Sequence, residues 1–387
     1  MTDPLFPLTA FHLPPNDANG KPVTHVCAAG ETLPLRSHQD AFTTYLHDKS
    51  SGHVSHAAKS AHVDSARTLL AKSWNVSKAE IGFSANVADG VSLLLESLTW
   101  AEGDNVVLDP DDFPSLIAPF AVMSQSNLEK AGKAVPEVRY AGEEHLESVV
   151  DGRTRLIAIS YVSYLNGARV DLLRYRAVAD SVGAILVVDY SQAAGYMAID
   201  ARIADFAFSA VHKWLLSVTG VAVAFWNKAR QPDWRPATAG WASLEIGHPR
   251  PRWGEEKLVF RDDAMVFMRG NPGHLAVYVL KESLEFLERW DVRVVEGHVL
   301  GLTGRLLEGL EREGIVSSTP RERERRAGSV TVHCEGAAEI VDGLRERGVY
   351  AWNGNGRVRI SSHGYNCERD VERVLDEFPR LWRRYNA

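Results

Sequence analysis

The feature that most restricts the fold is a series of short, almost wholly apolar runs separated by segments of helical periodicity. Glu80 to Phe83, Asn105 to Leu108, Arg155 to Ser160, Ala184 to Asp189 and Val221 to Trp226 are mostly apolar and often β-branched. A strand with one face in water alternates polar and apolar positions, whereas a strand covered on both faces does not. These runs therefore predict buried parallel strands of an α/β sheet with helices on both faces. The clearest unit spans Arg155 to Asp189: the strand RLIAIS, a loop, a helix around Arg174 to Val182 and the strand AILVVD form one βαβ crossover. An amphipathic helix from Ala57 to about Trp74 leads into the main domain.

Between Ile246 and Asp263 the composition turns to Pro, Arg, Glu and Trp, and the helix-patterned stretch Leu275 to Trp290 opens a different alternation. The tail then reads as GSVTVHC, a helix near Glu339 to Arg347, RVRIS and a last helix, with a turn at Asn353 and Gly354. Three parts follow: an N-terminal arm over 1–56, a large domain over 57–262 and a smaller α+β domain over 263–387. The run Arg321 to Arg326 interleaves Arg with Glu and reads as a solvated loop.

A formal charge of -7 offers no broad basic face, so a nucleic-acid partner is not expected. No apolar stretch approaches membrane-spanning length, and no basic segment with an apolar run opens the chain. Cys27, Cys334 and Cys367 are too scattered for a disulfide framework or a CxxC metal or redox site. The expectation is a cytoplasmic protein that handles a small molecule.

Pyridoxal 5′-phosphate chemistry asks four things of a protein: an amine for the aldehyde, an acid for the ring nitrogen, phosphate donors and a flat contact on the ring. Each has a candidate. Asp189 ends a very apolar strand, at the edge where α/β proteins bind ligands; alone it would serve equally as a cap. Lys213 follows the strand at Phe206 to Phe208, flanked by His212 and Trp214, where desolvation would lower its pKa and favour a Schiff base. IGFSANVADG has the form strand, small-residue turn, helix, which makes Ala85, Asn86 and Val87 candidates for the phosphate. Phe113 in DDFPS follows the strand VVLD and could lie on the ring or belong to the core.

The order of these four features, together with VVDYSQAAGYMAIDARIADFAFSAVHKWLLSVTGVAVAFWN, resembles the class V aminotransferase family of fold-type I enzymes. The resemblance runs from about Ala57 to Glu377. It implies that Asp189 partners the ring nitrogen, Gln192 the side of the ring's 3′-oxygen, Ser209 and His212 the phosphate, and that Lys213 carries the cofactor. It also implies a ring or substrate contact at Tyr161 and, in RVRISSHGYNCERD, a substrate α-carboxylate partner at Arg359. DDFPS, GWASLE and FMRGNPG further resemble turns of kynureninase and its relatives. Those turns imply a phosphate or substrate contact at Trp241, and an Asn271 that reaches the neighbouring subunit's cofactor in a homodimer. The family's cysteine desulfurases carry a thiol before the arginine strand, and GVYAWNGNG over Gly348 to Gly356 has none, so persulfide chemistry is disfavoured at this stage. The resulting expectation is an enzyme acting on an α-amino acid through an external aldimine and quinonoid, with a Cβ lyase leading. An aminotransferase or an epimerase stands next, and a catalytically silent cofactor-binding module is the alternative from a different class.

Overall fold

The computed structural model describes residues 3–125, 134–245, 254–255 and 257–386. In chain order, β1 (Thr24–His25) precedes α1 (Ser37–Ser50) and α2 (Ser55–Ser73). The large domain continues with β2 (Ile81–Ser84), α3 (Val87–Glu96), β3 (Asn105–Leu108), α4 (Pro114–Ser124), β4 (Glu137–Tyr140) and α5 (Leu146–Val149). Next come β5 (Thr154–Ser160), α6 (Leu172–Val182), β6 (Ile185–Asp189), β7 (Phe206–Ala210), β8 (Ala222–Trp226) and α7 (His274–Leu287). The remainder is α8 (Val292–Arg312), β9 (Ser329–His333), α9 (Ala337–Glu346), β10 (Val349–Tyr350), β11 (Trp352–Asn353), β12 (Arg357–Ser361) and α10 (Glu368–Asn386).

The seven-stranded sheet has the order β2-β8-β7-β6-β5-β3-β4. Strands β4, β3, β5, β6 and β7 run parallel, as the apolar runs predict, but β8 is antiparallel to both β7 and β2. Burial on both faces sets the composition of β8 and says nothing of its direction. Alternate side chains feed two cores. Ile157, Ile159, Leu186 and Val188 join Trp74 and Leu280 on one face, and Leu156, Ala158, Val187 and Phe208 join Val91 and Phe267 on the other. Helix α6 starts on Asp171, whose carboxylate accepts from the Leu173 amide at 2.9 Å, and stops at Gly183 with φ 71°.

The small domain packs α8, α9 and α10 on the antiparallel sheet β11-β12-β9. The N-terminal segment is tied to both parts: β1 pairs in parallel with β10, whereas Phe6 and Phe11 lie in the large core. Helix α7, expected in the small domain, places Val277, Leu280 and Leu284 in the large core, and the small-domain core starts at Leu302 within α8. The shift in composition after Ile246 therefore does not coincide with the change of core, and residues 246–253 and 256 of that stretch lie outside the described residues. No helix among the described residues is long and apolar enough to cross a membrane.

Candidate active site

Strand ends β5, β6 and β7 stand side by side, with Ser160 in register with Asp189 and Asp189 with Phe208. Their carboxyl edge is where an α/β sheet opens to ligands. Asp189 is buried there, and its Oδ1 accepts from the Ser191 amide at 2.7 Å. Burial pushes its carboxyl above the usual range, opposed by the Ser191 hydrogen bonds and by the charge of Lys213.

Lys213 lies in the loop from β7 to β8. Two backbone bonds fold that loop, Leu216 N to Lys213 O at 2.9 Å and Ser217 N to Val211 O at 3.0 Å. Leu216 adopts φ 58°, a left-handed conformation costly for a side chain of its size, so backbone strain is stored beside the lysine. The Lys213 Nζ sits 4.9 Å from the centroid of Phe113. Burial lowers its pKa, and Arg359 adds to that effect while Asp189 and Glu31 oppose it. Thr32 Oγ1 donates to the Lys213 carbonyl at 3.0 Å, so the N-terminal segment closes over this loop.

Phe113 is held by its neighbour. Asp112, also buried, accepts from the Phe113 amide at 2.7 Å, the Ser160 amide at 2.7 Å and the Ser160 hydroxyl at 2.5 Å. Burial raises the Asp112 carboxyl to about 6, against the pull of those donors. The edge of Tyr164 meets the Phe113 ring at 5.0 Å. Arg359 on β12 donates to the Tyr164 carbonyl at 2.8 Å and faces the Trp352 ring at 5.7 Å, and its buried Nε has no partner among the described residues. Burial pulls its pKa down to about 10, with help from Arg357, which leaves it charged at neutral pH.

Most of the other expected residues have partners within the protein. Tyr161 belongs to the opposite face of the sheet, because its strand alternates and Ser160 takes the position facing Asp112; it packs on Tyr190 at 5.8 Å and under Arg169 at 5.2 Å. Gln192 already uses both ends of its amide, donating to the Ala29 carbonyl at 2.9 Å and accepting from Trp214 Nε1 at 2.8 Å. Asn86 is the N-cap of α3 and accepts from the Asp89 amide at 2.9 Å, while the Ala85 amide donates to the Asp89 carboxylate at 3.3 Å. Helix geometry leaves Val87 and Ala88 as the first-turn amides free for a phosphate. Ser209 donates to the Ala210 carbonyl at 3.0 Å, and His212 is kept neutral because burial lowers its pKa to about 4. Trp241 and Asn271 line a separate groove with Arg67 and His274, which includes neither Lys213 nor Arg359. The residues not anticipated are Asp112, Ser160, Tyr164, Ser191, Glu31 and Arg357.

The donor set fits pyridoxal 5′-phosphate. A buried primary amine with a depressed pKa is turned to an aromatic face. A buried carboxylate stands at the neighbouring strand end, and an incompletely paired arginine lies across the opening. Lys213 would hold the aldehyde, Asp189 the ring nitrogen, Phe113 the ring face and the start of α3 the phosphate.

A family model described as Aminotransferase class-V matches residues 35–374. A probable cysteine desulfurase of Pyrococcus abyssi is 25% identical over 348 residues, covering 82% of each chain. An uncharacterized aminotransferase of Bacillus subtilis is 22% identical over 315 residues, covering 81% of this chain and 82% of that one. Among solved structures, the complex of the cystine C–S lyase C-DES with its reaction product cysteine persulfide shares the fold, with a TM-score of 0.82 at 19% identity over 94% of this chain and 98% of that one. These likenesses overturn the expectation that cysteine desulfurase is disfavoured. The absence of a thiol in one segment was an insufficient ground, since relatives over most of the chain bear that name. With the family model covering most of its length, the chain belongs to the class V aminotransferases, and its cofactor is pyridoxal 5′-phosphate.

Proposed function

We propose that this enzyme is a lyase that cleaves the bond between Cβ and a sulfur substituent of an α-amino acid. The observation that carries the reading is the Lys213 amine, buried, lowered in pKa and placed over Phe113 between Asp189 and Arg359. When bound, pyridoxal 5′-phosphate supplies an electron sink for the pair left at Cα. Lys213, whose pKa burial lowers, would take the Cα proton as the base. Arg359 grips the α-carboxylate with its planar fork, which fixes Cα beneath the lysine. Asp189 would hold the ring nitrogen in its protonated form, and Phe113 would cover the ring face. The sulfur substituent would leave Cβ with the bonding pair and take up a proton, and water would release the remaining skeleton as pyruvate and ammonia. The choice of sulfur rests on the desulfurase and C–S lyase names of similar proteins.

L-Cysteine is the substrate with which to test this. Alanine with sulfur passed to a thiol, or pyruvate with ammonia and sulfide, are the two results of C–S cleavage. Mercaptopyruvate with all sulfur retained would refute it and favour the second reading, an aminotransferase, which the Bacillus subtilis relative supports. We further propose a homodimer. Trp241, 57% exposed, and Asn271 sit together on a groove apart from their own Lys213, as residues serving a partner's site would. Sedimentation at the mass of a single chain would oppose this.

A further inference from the structure

Strand β12 delivers two arginines to the site, and the α-carboxylate accounts for one. Arg357 and Arg359 are two residues apart, so their side chains leave the same face of the strand with Cα atoms ~7 Å apart. Each is only 6% exposed. Arg357 lies over the Tyr164 ring at 5.6 Å, and among the described residues neither guanidinium is ion-paired. Asp111 contributes its field to Arg357 without forming an ion pair. A buried ion without a counter-charge is strongly destabilising, and two such cations side by side worsen each other's position. Such a pair becomes favourable when anions enter, and the fork of Arg359 is spent on the α-carboxylate.

The aromatic groups mark where the second anion comes from. Phe113 lies 4.9 Å from the Lys213 nitrogen, Tyr164 is 5.0 Å further on, and Arg357 covers Tyr164 at 5.6 Å. Phe113 and Tyr164 thus connect the reacting amine to Arg357 through successive ring contacts, while Arg359 bonds to the carbonyl of the same Tyr164. A second anion on the substrate's side chain is within reach of this guanidinium if the side chain follows those rings.

We propose that Arg357 is a specificity-determining residue that receives an acidic group at the far end of the substrate's side chain. The substrate class is then α-amino acids with a second, distal anion such as a carboxylate. This rests on the reading of the site as one that binds the α-carboxylate at Arg359 and cleaves at Cβ.

The test compares S-carboxymethyl-L-cysteine with S-ethyl-L-cysteine on the holoenzyme. Both have the same α-carboxylate and the same Cβ–S bond, and cleavage of either with water gives pyruvate, ammonia and the free thiol. KM and kcat come from thiol release, and affinity comes from titration of the cofactor's absorbance. The acidic thioether should bind about tenfold or more tightly than the neutral one. Arg357→Gln should abolish that preference, and an unchanged cofactor absorbance with an unchanged thermal midpoint reports that the variant is folded. Arg357→Lys should restore part of it, and Arg359→Gln should weaken both substrates alike. Equal binding of the two by the wild-type enzyme, or equal weakening of both by Arg357→Gln, would overturn the assignment. Selective binding of the acidic thioether without thiol release would refute Cβ cleavage and leave Arg357 standing. Thiol release from both with equal KM would do the reverse, and binding of neither would overturn both.

Discussion

Asp189→Asn separates the chemical role of this residue from its structural one, because the structure gives the two effects opposite signs. Asn retains an oxygen to accept from the Ser191 amide, now at 2.7 Å, and the Tyr161 amide continues to donate to the backbone carbonyl of residue 189 at 3.0 Å. The strand ends therefore keep their register. Burial holds the Asp189 carboxyl above its ordinary pKa, so its contribution to stability is present below about 3.8 and is lost as pH rises through the folded value. At pH 8 the buried charge is a cost, and the amide removes it. Stability of the apoprotein should stay level or increase. Activity should move the other way, since a neutral amide cannot keep the ring nitrogen protonated, and a loss on the order of 10²-fold, or ~3 kcal/mol, is expected. The charge of Asp189 also supports the protonated Lys213, so the amine should titrate at still lower pH in the variant. Turnover at saturating cofactor and urea unfolding of the apoprotein at pH 8 measure the two effects. Activity within threefold of wild type, or an apoprotein destabilised by more than about 2 kcal/mol, would refute this reasoning.

Borohydride treatment of the holoenzyme should fix the cofactor to Lys213, and peptide mapping that found it on another lysine would displace the assignment. Lys213→Ala should lose turnover while retaining weaker cofactor binding through the phosphate and ring contacts. Acid should destabilise the fold through its buried histidines. His363 donates from Nε2 to the Trp214 carbonyl at 2.9 Å and accepts from the Gly364 amide at 2.7 Å, and burial lowers its pKa from 6.5 to about 4. Between those values the unfolded chain binds a proton that the folded one refuses, so stability falls as pH drops through this window, by up to roughly 3 kcal/mol for this residue. Urea midpoints at pH 7 and 4.5 should show the loss, and His363→Gln should flatten it.

The parallel strands were legible because burial on both faces leaves an unbroken apolar run, as in ILVVD. Strand β4, with the sequence EVRY, was not, because it is an edge strand with half of its surface in water. Asp189 and Lys213 stand out in the sequence because Asp189 ends one buried strand and Lys213 lies three residues beyond another. Tyr161 shows the limit of reading by position alone. It was placed by its nearness to a strand end, whereas the two-residue period of β5 gives that face to Ser160. The same period, applied to RVRIS, puts Arg357 beside Arg359, so the second arginine was present in the pattern. Glu31 and Thr32 carried no such signal. They reach Lys213 only because β1 pairs with β10 and carries the N-terminal segment across the domain junction.

Persulfide chemistry was disfavoured for want of a thiol before the arginine strand, and relatives named as probable cysteine desulfurases overturn that ground. In the β-elimination proposed above, the roles assigned to Lys213, Arg359 and Asp189 suffice to break the bond from Cβ to sulfur, and the sulfur leaves with the bonding pair. A thiol that attacked the substrate sulfur would instead leave that pair on Cβ and give alanine with a persulfide. The segment Gly348 to Gly356 places Trp352 against Arg359, whose guanidinium lies 5.7 Å from the ring centroid. The thiol within the field of Arg359 comes instead from the opposite end of the chain. Cys27 lies just beyond β1, donates to the Tyr350 carbonyl at 3.1 Å and is pushed up to about 12 by burial. The products formed from L-cysteine therefore distinguish the two routes: pyruvate, ammonia and sulfide report elimination, and alanine with a persulfide reports attack by a thiol.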